Sequence, residues 1–154
     1  MSFDSGEANR FGIQYHPCPF SPLDRGISDQ DTEYDVCFVG RAKDRFSTIL
    51  ETLAVLNRAD CRCYFYVSGV SPEQRVVLEG LEYGEGMAYS DYLKYVSRSK
   101  CLLEIVQGGG TDSTLRLMES IAFGKHLLSN CRHLEDNVLF DAERMHIFEK
   151  PNEY

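Results

Sequence analysis

Gly108, Gly109 and Gly110 stand in a row between the apolar run CLLEIV and the helically spaced STLRLMESIAFG. Glycine loses more backbone freedom on folding than any other residue, so three together carry a cost that some function must offset. A strand that runs through glycines into a helix presents unpaired N–H groups and the positive end of the helix dipole. That is a site for an anion, most often a phosphate. Thr111, Ser113 and Thr114 add hydroxyl donors, while Asp112 could cap the helix and compete with an anion. A tight turn alone would account for one or two glycines. Three favour close approach of a ligand to the backbone.

A second group lies in VGRAKDR, where Gly40 ends an apolar run and Arg41, Lys43 and Arg45 follow. Cations are disfavoured near a helix N-terminus, so three within five residues suggest a clamp for a diphosphate. Arginine would bring forked hydrogen bonds and lysine a point charge. Glu119 is the third candidate, beside the apolar face formed by Leu115, Met118, Ile121 and Ala122. Spacing leaves two roles open for it: a solvated edge position, or an acceptor for ligand hydroxyls. Asp35, Glu104 and the acids of EGLEYGEG read as ordinary solvated or capping groups. His16, His126, His133 and His146 are scattered without partners at motif spacing.

The elements that must position these groups alternate. DVCFVG, CRCYFYV, CLLEIV and HLLSN are short apolar runs of the kind buried in parallel sheets, with EGMAYS a weaker strand and HIFEK a last one. Between them, DRFSTILETLAVLNRA, SPEQRVVLEGL, SDYLKYVSRS, STLRLMESIAFGK and NVLFDAERM read as helices, with Ser71 and Ser90 placed to cap and Gly124 to terminate. The pattern predicts an α/β fold: one Rossmann-like domain over residues 34–154, with a mostly parallel sheet of about five or six strands and helices on both faces. Residues 1–33, with prolines at 17, 19 and 22, read as an extended linker. In such sheets ligands sit at the carboxyl ends of the strands, where strand order reverses. The loops carrying Gly40, Ser68 and Gly69, Tyr89, and the glycines all fall there.

Composition narrows the function. The 154 residues carry a formal charge of −8 with 43 % hydrophobic and 26 % charged residues, which is a globular balance and not that of a general nucleic-acid binder. There is no apolar run of membrane-spanning length and no secretory leader, so a cytoplasmic location is expected. Four of the six cysteines lie in apolar runs, and none has zinc spacing, so reduced structural thiols and no metal are expected. VGRAKD lacks the GxGxxG of a dinucleotide-binding domain. Arg41 stands where a receiver domain needs acids, and the hydroxyl-rich loop of a flavodoxin is missing. A non-catalytic nucleotide-binding or interaction module remains the alternative.

TLRLMESIAFGKHLLSN resembles the carboxyl-domain signature of GT-B glycosyltransferases, in which a glutamate-bearing helix and an Asn-ended strand follow a glycine loop. FVGR and YSDYLKYVSRSKCLLEIVQGG resemble enzymes of bacterial capsule and lipopolysaccharide assembly, and the likeness runs from about Tyr34 to Asn130. It implies a nucleotide-sugar donor without a metal or other cofactor. Gly40, Arg41, Lys43, the backbone of Gly108, Gly109, Gly110 and Thr111, and Ser113 would hold the diphosphate. Glu119 would accept the ribose hydroxyls, and Ser68, Gly69 and Tyr89 would lie near the base. Thr111 stands where many retaining members carry a second glutamate, and His126 where a proline is usual. GT-B enzymes pair two Rossmann-like domains, so the chain reads as the donor-binding half, inactive alone, with any membrane association left to the other half and the catalytic residue unassigned.

Overall fold

The computed structural model describes residues 1–2, 5–16, 31–108 and 114–149. Its strands are β1 (Tyr34–Arg41), β2 (Cys63–Ser68), β3 (Leu81–Gly84), β4 (Ser99–Glu104), β5 (His126–Ser129) and β6 (Met145–Ile147); its helices are α1 (Ser5–Phe11), α2 (Phe46–Arg58), α3 (Tyr89–Ser97) and α4 (Leu115–Phe123). The six strands form one sheet in the order β3-β2-β1-β4-β5-β6, and every pairing is parallel. This is the expected single Rossmann-like α/β domain. Strand order reverses between β1 and β4.

The alternation of side chains along β1 builds two cores. Val36 and Phe38 pack with Ile49 and Leu53 of α2, which recur on one helical face. Cys37 points the other way, toward Leu93 and Val96 of α3 and Leu117 of α4. α4 stops at Gly124, whose φ of 62° allows its N–H and that of Lys125 to reach back to Ile121 and Ser120. The five described cysteines are free thiols, and burial pushes those of Cys37, Cys63 and Cys101 up to about 12. No helix among the described residues is long and apolar enough to cross a membrane.

Several local expectations change. Residues 71–81, which read as a helix, form a short 3-10 turn at Pro72–Gln74 and then an extended strap. Ser71 does not cap; its hydroxyl binds the Gln74 side chain. The Tyr83 hydroxyl takes both backbone groups of Val76, accepting from its N–H at 3.1 Å and donating to its carbonyl at 3.0 Å. Those groups are thereby removed from any helical ladder. Gly80 closes the strap at φ 76°, where a Cβ would stand 2.5 Å from the Cys63 carbonyl oxygen. β3 consequently comes at LEYG, ahead of the expected EGMAYS. Ala88, not Ser90, precedes the first residue of α3. NVLFDAERM forms turns, because Asn137 and Asp141 accept from the N–H groups of Leu139 and Glu143 and hold the backbone locally. Finally, Ser5–Phe11 is helical, in the stretch that reads as extended.

Candidate functional site

At the carboxyl ends of β1 and β2, beside the strand-order reversal, lies a crevice of about 400 Å³. β1 contributes Val39, Gly40 and Arg41, and β2 contributes Tyr66 and Ser68. The segment after β3 adds Glu85, Gly86 and Met87, and the helices add Tyr89, Tyr92, Leu115 and Arg116. Four of the residues singled out in the sequence therefore meet here: Gly40, Arg41, Ser68 and Tyr89. Gly69 sits alongside, where a Cβ would stand 3.8 Å from Nε of Arg41. Gly40 is also a packing residue, since a Cβ there would come within 3.0 Å of the Phe38 ring. Gly109, Gly110, Thr111, Asp112 and Ser113 lie outside the described residues.

The three cations after β1 divide. Arg41 is exposed at the crevice, and among the described residues no carboxylate or carbonyl engages its side chain. Lys43 is exposed but does not line the crevice, and it holds a positive φ of 44° that a non-glycine residue rarely adopts. Arg45 turns inward. Its Nη1 donates to the Ile105 carbonyl and its Nε to that of Arg41, so it ties β1 to the end of β4 instead of facing a ligand. Burial, with Arg116 nearby, lowers its pKa.

Two amides at the glycine loop are already engaged. The Gly108 N–H donates to Asp44 at 3.0 Å, and the Thr114 N–H donates to Glu104 at 2.5 Å. Glu104, only 1 % exposed, also accepts from the hydroxyls of Thr114 and Ser129. It is a buried clamp between β4, α4 and β5, not a solvated group. α4 is capped by Thr114, whose hydroxyl accepts from the Arg116 N–H.

Glu119 is fully buried, which excludes the solvated edge position. Oε1 accepts from the Tyr89 hydroxyl at 3.0 Å. Oε2 accepts from the Tyr92 hydroxyl at 2.7 Å and from Nη1 of Arg116 at 2.6 Å. Arg116 donates its Nη2 to the Val39 carbonyl at 2.6 Å and lies 4.3 Å over the Tyr92 ring. Burial works against its charge, but Tyr92 and Glu119 more than offset this and its pKa is raised. Burial, then the Glu119 charge, pushes Tyr89 up to about 12. Tyr92 is raised further, by burial first and by Glu119 against the opposing pull of Arg116. Arg116 and Tyr92, with Tyr66 and Met87 of the crevice wall, are site residues that sequence reasoning missed. The i,i+3 spacing of Arg116 and Glu119 was the available signal.

The crevice thus offers a guanidinium that no described residue engages, an aromatic and apolar wall from Tyr66, Met87 and Tyr89, and a carboxylate behind Tyr89. Compared with known proteins, the chain matches no protein-family model and no curated sequence.

Proposed function

We propose that this chain binds a nucleotide-sugar through its diphosphate, as the donor-binding half of a GT-B glycosyltransferase of bacterial surface-polysaccharide assembly. The observation that carries the reading is Arg41, exposed and without a side-chain partner among the described residues, in a crevice at the carboxyl ends of β1 and β2, beside the reversal of strand order. An open parallel sheet binds ligands at such a point. A guanidinium without an internal partner suits a phosphate, and the tyrosine-lined wall suits a base. The resemblance of TLRLMESIAFGKHLLSN to the GT-B signature supplies the substrate class. Because the Gly108 amide already serves Asp44, Arg41 is given the larger share of the diphosphate.

Thermal shift of the full chain with UDP, GDP, CDP and ADP tests this, with NAD and FMN as controls. A ligand at a hundred times its Kd adds about 2.7 kcal/mol, which is readily measured. Stabilisation by at least one diphosphate and by neither control is the expected result. Stabilisation by NAD or FMN would assign the crevice to another class of nucleotide.

The burial of Glu119 favours one rival: a module without catalytic partners in which the carboxylate is purely structural. No stabilisation by any nucleotide would select that rival.

A further inference from the structure

The two oxygens of Glu119 are held by unlike donors. On Oε2 the donors are fixed: Tyr92 is 4 % exposed, and Arg116 is locked onto Val39 and stacked on the Tyr92 ring. On Oε1 the one donor among the described residues is the hydroxyl of Tyr89, a residue 41 % exposed at the rim of the crevice and at the first position of α3. One oxygen is bound into the protein. The other is covered by a side chain that water can reach.

We propose that the Tyr89 hydroxyl occupies the position of a ligand hydroxyl on Glu119 and is displaced by the vicinal diol of a bound ribonucleoside diphosphate. Tyr89 is then a specificity-determining residue whose hydroxyl competes with the diol for Oε1 and so sets how strongly the diol is preferred. The proposal rests on the nucleotide-binding reading above and adds to it how the buried carboxylate becomes reachable.

The chemistry of the exchange is balanced. A buried carboxylate oxygen left without a donor carries a desolvation penalty, so the empty site needs a covering group. A ligand diol replaces one hydroxyl with another, and the hydrogen bond to Oε1 is conserved. The released phenol finds water at the rim. Its proton stays on oxygen throughout, because even the ordinary phenol pKa of about 10 lies far above neutral pH. A ligand without the diol gains nothing by moving Tyr89 and binds with the contact intact.

Isothermal titration of the full chain and of Tyr89→Phe, with UDP, GDP, CDP and ADP and the 2′,3′-dideoxy form of each, separates the outcomes. The ribonucleotide that binds the wild type is expected to bind the variant about tenfold more tightly, since no charge-assisted hydrogen bond has to be broken. Its dideoxy form is expected to bind both proteins equally. The chain has no tryptophan, so tyrosine emission is directly readable. A phenol hydrogen-bonded to a carboxylate emits weakly, and the ribonucleotide, not its dideoxy form, is expected to raise emission in the wild type. This second measurement needs no variant and decides the matter if Tyr89→Phe folds poorly. Nucleotide binding with unchanged or weaker affinity in Tyr89→Phe, with equal shifts for both sugar forms, or with no diol-dependent emission change overturns the role of Tyr89 and leaves the nucleotide reading standing. A folded wild type that binds none of the diphosphates overturns both.

Discussion

The end of β1 and the middle of α4 meet at the crevice, one at its lining and the other behind Tyr89, but they are prepared for a ligand in opposite ways. Arg41 is exposed and its guanidinium is engaged by no described residue, whereas Glu119 is buried under three donors. A cation left in water can wait unpaired at little cost, because solvent screens it. A carboxylate removed from water cannot, and must be paired and hydrogen-bonded. The difference teaches that a phosphate contact can be open before the ligand arrives, while a contact to ligand hydroxyls at Glu119 requires an internal bond to yield.

The comparison breaks most easily on stability. Glu119→Ala leaves Arg116 without its partner in a largely buried position and should cost about 3 kcal/mol in denaturant unfolding. Loss of less than about 1 kcal/mol would mean that the carboxylate is held far more loosely than its contacts imply. Next in size is ligand affinity at the other region. Arg41→Ala should weaken nucleoside diphosphate binding about tenfold or more, while nucleoside binding barely changes, because a charge-assisted hydrogen bond contributes about 1.5–3 kcal/mol. Equal losses for both ligands would place Arg41 away from the phosphates.

A pH titration sharpens the contrast. The folded pKa of Tyr89, about 12, lies above its ordinary value of 10.0, and that of Tyr92 is raised as well. A pKa raised in the folded state gives stability that is whole below the unfolded value and is lost as pH climbs toward the folded one. Stability should therefore begin to fall near pH 9, where the buried thiols of Cys37, Cys63 and Cys101 first count, and fall more steeply from about pH 10 to about pH 12 as the tyrosines join them. In Tyr92→Phe the decline should be shallower. An alkaline limb identical in both proteins would detach the tyrosines from Glu119. The smallest effect is expected of Arg41→Ala on folding: a change within about 0.5 kcal/mol, since an exposed side chain with no partner among the described residues has little to lose.

The fold was legible because its signals were local and strong. Apolar runs such as DVCFVG and CLLEIV, and Ile49 and Leu53 at helical spacing, specify strands and a helix without help from elsewhere. SPEQRVVLEGL misled because its fate lies outside itself: Tyr83 claims the Val76 backbone, and two β-branched valines and a glycine offer a helix little resistance to that claim. In the crevice, Arg41 and Ser68 could be placed from their positions at strand ends, while Tyr89 arrives there at the start of α3 and not at the end of the strand expected over EGMAYS. The inward turn of Arg45 could not, because its partner, the Ile105 carbonyl, is brought near only by the pairing of β1 with β4. Glu104, which reads as a solvated or capping group, is instead buried and accepts from the N–H of Thr114, the residue that caps α4; the burial follows from β4 being a central strand.

The strand order has a kinetic consequence. β1, β2 and β3 are neighbours in sequence and in the sheet, and so are β4, β5 and β6. The two triplets meet only at β1 and β4, where Tyr34 pairs with Ser99 and Cys37 with Leu102 across a long stretch of chain. Contacts that close a long loop bear their entropy cost before they are rewarded, so this seam is the slow step for the chain to form. Arg116 crosses it to the Val39 carbonyl, and Arg45 crosses it to Ile105. The crevice therefore opens along the last join to zip shut in folding, and a ligand lodged there would hold the two halves of the sheet together.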